Sequence, residues 1–305
     1  MSETLRAAVY GFPLLDVADV PGGAVQVSPL VAGSTDLAEL PEGSLDEIVV
    51  QAPAGAAERR YVLALALRAL KTEGRLTALA LKDRGGQRLN KELTAFGCTI
   101  GESAKRHHRI CVALKPAAVT GLDAAIAEGA PRRLDGDGLW SQPGVFSWDR
   151  LDPGSALLLK SLQPLSGVGV DLGCGIGILS HAILTSPKVT KLTLVDLDRR
   201  AVEAAKRNVN DPRVEVLWAD ARRGAELLSG LDFVVTNPPF HEGGGEDKGL
   251  GQAFIKSAAA MLRKSGVLWI VANRHLPYEA VLNEHFKTVR PVADVGGFKV
   301  YEARK

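Results

Sequence analysis

The sequence predicts an α/β protein made of two tandem domains, each a mainly parallel sheet covered by helices. Three observations carry that expectation. The second half alternates apolar strand patterns with helical ones, as parallel strands joined by crossover helices do. The first half follows the same grammar and can be laid on the second segment by segment. The length, 305 residues, is more than one compact core usually takes.

In the second half, VGVDLG (168–173) reads as a strand, GILSHAILTS (177–186) as a short helix and KLTLVDLD (191–198) as a strand. RRAVEAAKRNVN (199–210) puts Ala and Val on one helical face, and RVEVLWAD (213–220) and LDFVVTN (231–237) are further strands. GLGQAFIKSAAAMLRK (249–264) has apolar residues at helical spacing, and GVLWIVAN (266–273) is the next strand. GFKVYEARK, at the end, is expected to be an antiparallel strand at or near an edge.

The first half offers a strand at 45–53, a helix at 56–71 and strands at 74–81 and 106–115. Leu45-Asp46-Glu47-Ile48-Val49-Val50 aligns with Leu231-Asp232-Phe233-Val234-Val235-Thr236, and Gln51-Ala52-Pro53-Ala54 then falls on Asn237-Pro238-Pro239-Phe240. Leu70 to Gly74 aligns with Leu262 to Gly266, and Arg109 to Val112 with Lys299 to Glu302. We read this as an internal duplication. The segment 116–162 is dense in Pro, Gly and Asp, so the boundary is placed at Pro131: a first domain over 1–131 and a second over 132–305.

Hydrophobic content of 46% and charged content of 24% belong to an ordinary globular chain. No apolar run reaches the roughly 18–20 residues of a membrane span, and the N-terminus has no basic-then-apolar leader pattern. Cys98, Cys111 and Cys174 lack metal-ligand spacing, so no metal is expected and a reducing, cytoplasmic setting fits. A net charge of +2 excludes a polycation but leaves room for local basic patches. The candidates are Lys105 to Arg109, Arg132-Arg133, Arg199-Arg200 and Arg222-Arg223, each by itself more often a solvated face than a site.

The chemistry gathers at strand ends in the second half. Asp171-Leu172-Gly173-Cys174-Gly175-Ile176-Gly177 lies between a strand and a helix. Its alternate glycines permit a tight turn and close approach of a ligand to backbone. The spacing is GxGxG, not the GxGxxG of dinucleotide folds, and an acidic residue precedes it. Asp196, after the next strand, can accept ribose hydroxyls, and Asp220, followed by Ala221 after the third, can accept an adenine amino proton. Three carboxylates along the C-terminal edge of one parallel sheet point to an adenosine-containing ligand without phosphate.

On the same edge stands Asn237-Pro238-Pro239-Phe240. Two prolines end the ladder. An amine on a conjugated ring is a poor nucleophile because its lone pair is delocalised. The Asn237 side-chain carbonyl and the Pro238 backbone carbonyl can each accept one of its protons, favouring a pyramidal nitrogen. Phe240 can stack on the ring, and the prolines keep the arrangement rigid. Neutral readings stand beside the smaller features. His241 either touches substrate or bonds backbone, Phe146 and Ser147 either close over a ligand or simply pack, and Cys174 is a small residue that fits. Trp140 and Trp148 read as a linker docking on the domain rather than a nucleobase stack.

DLGCGIG, LVDLD, WADA and NPPF together resemble the motif series of class I S-adenosylmethionine-dependent methyltransferases acting on planar nitrogens. Gly144-Val145-Phe146-Ser147, Leu151 to Ser155, NPPFHEG, Val271-Ala272-Asn273 with Leu276-Pro277-Tyr278, and Phe298 to Tyr301 resemble the RsmC-type ribosomal RNA guanine-N2 methyltransferases. That resemblance is close from about Gly144 to Lys305 and mainly architectural before it. It implies tandem Rossmann-like methyltransferase domains, the first degenerate, and S-adenosylmethionine as cofactor. It also implies methylation of the exocyclic N2 of a guanine in 16S ribosomal RNA, nucleotide 1207 in the standard scheme. By the same resemblance Asp171, Gly173, Gly175, Gly177, Asp196, Asp220 and Ala221 hold the cofactor, and Asn237, Pro238, Pro239 and Phe240 hold the guanine amine. The partner is ribosomal RNA or the small ribosomal subunit, met by a monomer, with the first domain positioning RNA or supporting folding. With RNA as the partner, the Lys105–Arg109 cluster gains weight as a contact. The rivals are N2-guanine methylation of 23S RNA, methylation of adenine N6 or a protein glutamine, and a non-enzymatic assembly factor. The first copy, ending its strand in Gln51-Ala52-Pro53-Ala54, is expected to keep the fold without catalysis.

Overall fold

The chain divides at Pro131 into two units, Met1–Pro131 and Arg132–Lys305. The computed structural model describes residues 6–136, 138–239, 241–242, 245–246 and 248–305.

The first unit runs β1 (Ala7–Tyr10), β2 (Val25–Gln26), β3 (Leu45–Gln51), α1 (Ala56–Ala69), β4 (Leu70–Leu81), α2 (Gln87–Ala95), β5 (Gly101–Lys105), β6 (His108–Leu114) and α3 (Leu122–Gly129). The second opens with a hairpin, β7 (Arg132–Arg133) and β8 (Trp140–Ser141), then α4 (Pro153–Ser161), β9 (Gly167–Leu172), α5 (Ile178–Leu184), β10 (Val189–Asp196), α6 (Arg199–Asn208), β11 (Val214–Trp218) and α7 (Gly224–Leu227). It continues with β12 (Leu231–Thr236), β13 (His241–Glu242), β14 (Gly245–Glu246), α8 (Lys248–Met261), β15 (Leu262–Asn273), α9 (Tyr278–His285), β16 (Thr288–Val295) and β17 (Phe298–Arg304).

The second unit's main sheet has the order β11-β10-β9-β12-β15-β17-β16. The first five strands are parallel, and β17 runs antiparallel between β15 and β16. The last strand is therefore near an edge, and β16 is the edge itself. Both faces of the sheet are covered, which is why its central strands read as unbroken apolar runs. Phe233 and Val235 join Trp269, Val271 and Val300 in one cluster with Leu158 of α4 and Ile183 of α5. Val234, between them, faces the opposite layer with Leu268, Ile270 and Phe254 of α8. The Phe233 ring lies against the backbone of Gly169 in the neighbouring strand, where any Cβ would collide with it. Full burial of such a ring contributes about 1.5–3 kcal/mol.

The first unit repeats this plan with the order β2-β1-β3-β4-β6-β5, so β1, β3, β4, β6 and β5 stand for β9, β12, β15, β17 and β16. The likeness extends to single bonds. Leu45 pairs with Leu70, and the register slips before Glu47 meets Arg75. Leu231 pairs with Leu262, and the register slips before Phe233 meets Val267. Asp46 accepts from the Arg6 backbone N–H at 2.9 Å and from Lys71 Nζ at 2.7 Å. Asp232 accepts from the Val168 N–H at 2.7 Å and from Arg263 Nε at 2.6 Å. The tight turn inside β4 and β15 places Glu73 and Ser265 in left-handed conformations, φ 64° and 67°. What the first copy lacks is equally specific. Among the described residues no helix lies between β1 and β2, and nothing in its sheet corresponds to β11.

Candidate active site

β11, β10, β9 and β12 are neighbours in that order, so their C-terminal ends line one edge. The chain order reverses between β9 and β12, and in open α/β sheets ligands bind outside the strand ends at such a reversal. A small cleft opens there, lined among others by Phe146, Ser147, Gly173, Gly175, Ile176 and Asn237. Of the residues expected in the site, Gly173, Gly175 and Asn237 line this cleft, as do Phe146, Ser147 and Cys174.

The glycine loop is shaped by its own chain. Gly173, Gly175 and Gly177 have φ of 75°, 54° and 90°, values that suit glycine. The two ends of the loop are packed: a Cβ on Gly177 would lie 2.6 Å from Val209 Cγ2, and one on Gly173 would lie 3.2 Å from the Phe254 ring. At Gly175 a Cβ meets nothing within 4 Å, so the middle of the loop faces open space, as a surface that receives a ligand must. Asp196 holds this loop in place: its Oδ2 accepts from the Gly175 N–H at 2.8 Å and its Oδ1 from the Asp198 N–H at 2.9 Å. Burial raises its pKa to about 6.

Asp171 lies beneath the loop, fully buried. Ser180 Oγ donates to its Oδ2 at 2.6 Å, while Oδ1 has no partner among the described residues. Burial, and then the nearby Asp196, raise its pKa to about 7, against the hydrogen bond from Ser180. Asp220 caps the turn that follows β11, accepting from the Arg222 N–H at 2.9 Å and from its guanidinium at 2.7 Å. Ala221 is buried in the apolar layer, its carbonyl accepting from Ser257 Oγ at 2.7 Å. Arg199, after Asp198, stacks over the Trp218 ring at 5.4 Å. Asp171, Gly177, Asp196, Asp220 and Ala221 thus form the walls and supports of this strand edge more than the cleft surface.

At the end of β12, Thr236 Oγ1 donates to the Leu172 carbonyl at 2.6 Å, which ties the two strand ends together and sets Asn237 beside Gly173. Pro238 has no N–H, so it cannot make the bond that its counterpart Ala52 makes to the Leu79 carbonyl at 2.8 Å. The Asn237 side chain is held from one side: Nδ2 donates to Asp152 Oδ2 and to Ser155 Oγ, both at 2.8 Å. Its Oδ1 is buried and has no hydrogen-bond partner among the described residues. A buried acceptor left open at the mouth of a cleft is costly unless a donor completes it. Phe240 lies outside the described residues, and for His241 only the backbone strand pairing is described.

Asp152 and Ser155 were not among the expected site residues. Their signal is the helix start Asp152-Pro153-Gly154-Ser155, with an N-cap carboxylate accepting from the Ser155 N–H at 2.7 Å and proline in the first turn. Read as a cap alone, that pattern says nothing about an amide 85 residues away. The linker also contributes. Asn208, at the end of α6, exchanges two hydrogen bonds with the Trp140 backbone, at 2.7 and 2.9 Å, and donates to the Ile176 carbonyl in the glycine loop at 2.9 Å. Trp140 and Trp148 pack with Val145, Ile176 and Ala201, so the linker docks on the domain.

The open face at Gly175 and the unmatched acceptor at Asn237 fit a nucleoside-bearing cation on the loop and an amine donor beside it. Among the described residues no cluster of His, Cys, Asp or Glu could hold a metal ion. Fold and cleft together define a class I S-adenosylmethionine-dependent methyltransferase. Residues 137–302 match the family model of the methyltransferase small domain. Ribosomal RNA small subunit methyltransferase C of Pseudomonas aeruginosa (strain LESB58) is 35% identical over 271 residues, covering 87% of this chain and 81% of that protein. The protein of the same name from Salmonella newport (strain SL254) is 40% identical over 174 residues, covering 56% and 51%. Among solved structures, the T. thermophilus 16S rRNA N2 G1207 methyltransferase (RsmC), in complex with AdoMet and guanosine, superposes with a TM-score of 0.72 at 29% identity, covering 88% of this chain and 75% of that one. The chain belongs to the ribosomal RNA small subunit methyltransferase C family.

Proposed function

We propose that this chain transfers a methyl group from S-adenosylmethionine to the exocyclic N2 of a guanine in 16S ribosomal RNA, at the position equivalent to the G1207 named for the T. thermophilus relative. The observation that carries the reading is the open Asn237 Oδ1, an acceptor without a donor, beside the glycine-loop cleft. When bound, S-adenosylmethionine supplies a methyl group on a sulfonium sulfur. Gly173 and Gly175 would meet the cofactor, and Asp171, Gly177, Asp196, Asp220 and Ala221 would hold it from the walls of the same strand edge. Asn237 Oδ1 and the Pro238 carbonyl would each accept a hydrogen bond from one amine N–H, both protons staying on nitrogen, and Phe240 would stack on the base. The chain's contribution is to hold and orient a weak nucleophile. The methylated nitrogen is cationic and gives up its proton to water, so no general base is needed.

An amine within structured RNA is reached only when the base is unstacked or flipped. In this reading the second domain, 132–305, is catalytic and the first, 1–131, is degenerate and positions RNA or supports folding. A basic hairpin tip, Lys105 to Arg109, is available there, with Arg109 paired to Glu102 at 2.9 Å and Arg106 to Asp16 at 2.5 Å. We place the chain with its substrate, in the cytoplasm, as a monomer. No helix among the described residues is long and apolar enough to cross a membrane.

The test is to incubate the protein and S-adenosylmethionine with ribosomes from cells lacking the gene, and to analyse by mass the nucleosides of the separated 16S and 23S RNA and the ribosomal proteins. N2-methylguanosine in 16S RNA is expected. A methylated adenine, a methylated protein or modification confined to 23S RNA overturns the assignment.

A further inference from the structure

We propose that Asp152, with Ser155 Oγ as a second acceptor beside it, fixes the polarity of the Asn237 amide, and so decides that the site offers the incoming base an acceptor and not a donor. The proposal rests on the methyl-transfer reading above and extends it to two positioning residues.

An asparagine amide has two ends of almost equal size, one an acceptor and the other a double donor. Turned by half a rotation, Asn237 would point N–H groups at an amine that also carries N–H groups. Something must hold it the right way round. Thr236 fixes the backbone, through its bond to the Leu172 carbonyl, but leaves the side-chain torsion free. The side chain is fixed by its Nδ2, which meets Asp152 Oδ2 and Ser155 Oγ, each at 2.8 Å. An ionised carboxylate can only accept. In the turned state Asn237 Oδ1 would stand against a carboxylate oxygen with no proton between them. The right orientation gains a charge-assisted bond where the wrong one meets repulsion.

The carboxylate is itself anchored. The same Asp152 Oδ2 accepts from the Ser155 N–H at 2.7 Å as the N-cap of α4, and Pro153 occupies the first turn. Helix start, carboxylate and amide therefore form one chain of constraint that ends at the open Oδ1. In the first unit the corresponding amide is used the other way. Gln51 Oε1 accepts from the Phe12 N–H at 2.8 Å, so its acceptor is spent on its own loop.

The variants that separate this role from others are Asp152→Ser, Ser155→Ala, their double, and Asp152→Asn. Serine caps a helix as well as aspartate but is too short to reach Asn237, whereas asparagine can place an acceptor oxygen where the carboxylate had one. Methyl transfer to RNA is measured as kcat and KM, with melting temperature as the control for folding. The double variant is expected to lose on the order of tenfold to a hundredfold in kcat, with KM for RNA little changed, and Asp152→Asn is expected to recover most of what Asp152→Ser loses. Unchanged kcat in the double variant overturns the proposal. So does an Asp152→Asn as impaired as Asp152→Ser, because an acceptor oxygen anchored at that point would then not be what holds the amide. If Asp152→Ser melts early, kcat measured well below its melting temperature carries the test, and an unchanged kcat there overturns the proposal. If the unaltered protein makes no N2-methylguanosine, the methyl-transfer reading fails first. The lock is then judged by NMR of the Asn237 side-chain amide, whose protons should exchange faster with solvent in the double variant; equal exchange rates overturn it.

Discussion

Lys115 and Lys305 stand at the same point of two copies of one fold. Lys115 donates through Nζ to the Leu70 carbonyl at 2.7 Å, and Lys305 to the Leu262 carbonyl at 2.9 Å. Each also closes its sheet with a backbone N–H, to the Gly74 and Gly266 carbonyls. An ammonium group at the end of a helix satisfies carbonyls that have no further turn to pair with and complements the helix dipole.

Replacing Lys115 by methionine keeps the stem and removes the donor. The Leu70 carbonyl then loses its charged partner in a buried setting, and the first unit should be destabilised by about 1–3 kcal/mol. Lys305→Met should act likewise on the second unit. Thermal or denaturant unfolding checks both, and an unchanged midpoint for Lys115→Met would sink the argument.

Asn237→Ala removes the open acceptor while leaving the glycine loop intact. Methyl transfer should be abolished and S-adenosylmethionine should still bind, as calorimetry can measure. Full activity in this variant would refute the proposed chemistry.

Asp171 gives a pH signature. Its pKa is raised from 3.8 to about 7 in the fold, chiefly by burial. A carboxyl of this kind is neutral in both states below about pH 4. Between pH 4 and 7 the unfolded chain ionises while the folded one resists, so this residue's contribution to stability falls as pH rises and levels off above about 7. Asp171→Asn stays neutral throughout. The apo variant should gain on the unaltered protein by about 4 kcal/mol between pH 4 and 7, although its cofactor binding should weaken. A stability difference that does not vary with pH would refute the burial argument.

Gly177→Ala forces a Cβ to within 2.6 Å of Val209 Cγ2 at a φ of 90°. Strain and crowding together should cost about 1–3 kcal/mol. The displaced loop should bind S-adenosylmethionine more weakly, which a titration would show. Gln51→Ala, in contrast, should leave methyl transfer within about twofold, because that amide serves the Phe12 N–H in the first unit's own loop, a bond worth about 1 kcal/mol.

Most of the central sheet was legible because its strands are buried on both faces and read as apolar runs, as Phe233-Val234-Val235 does. The duplication was legible through Leu45-Asp46 against Leu231-Asp232, and its cause lies in bonds that both aspartates make to the head of the neighbouring strand in the sheet. The strands Ala7–Tyr10 and Val25–Gln26 are too short to show a period. Gly101–Lys105 is exposed along its whole length, and Thr288–Val295 carries Pro291 on an edge beside an irregular register. The strand-end residues could be named from spacing alone. Which of them face the cleft could not, because Asp171 and Gly177 differ from Gly175 only in three-dimensional packing. Asp152 was hidden for another reason: its local pattern already had a sufficient explanation as a helix cap.

One amide, Asn208, binds the Trp140 backbone and the glycine loop at Ile176 together. The smallest fragment that keeps the cleft therefore does not begin at the first strand of the main sheet, Gly167. It begins upstream of Trp140, with the hairpin, and a truncation at residue 150 would saw through the foundation of the cleft while sparing every strand of the sheet above it.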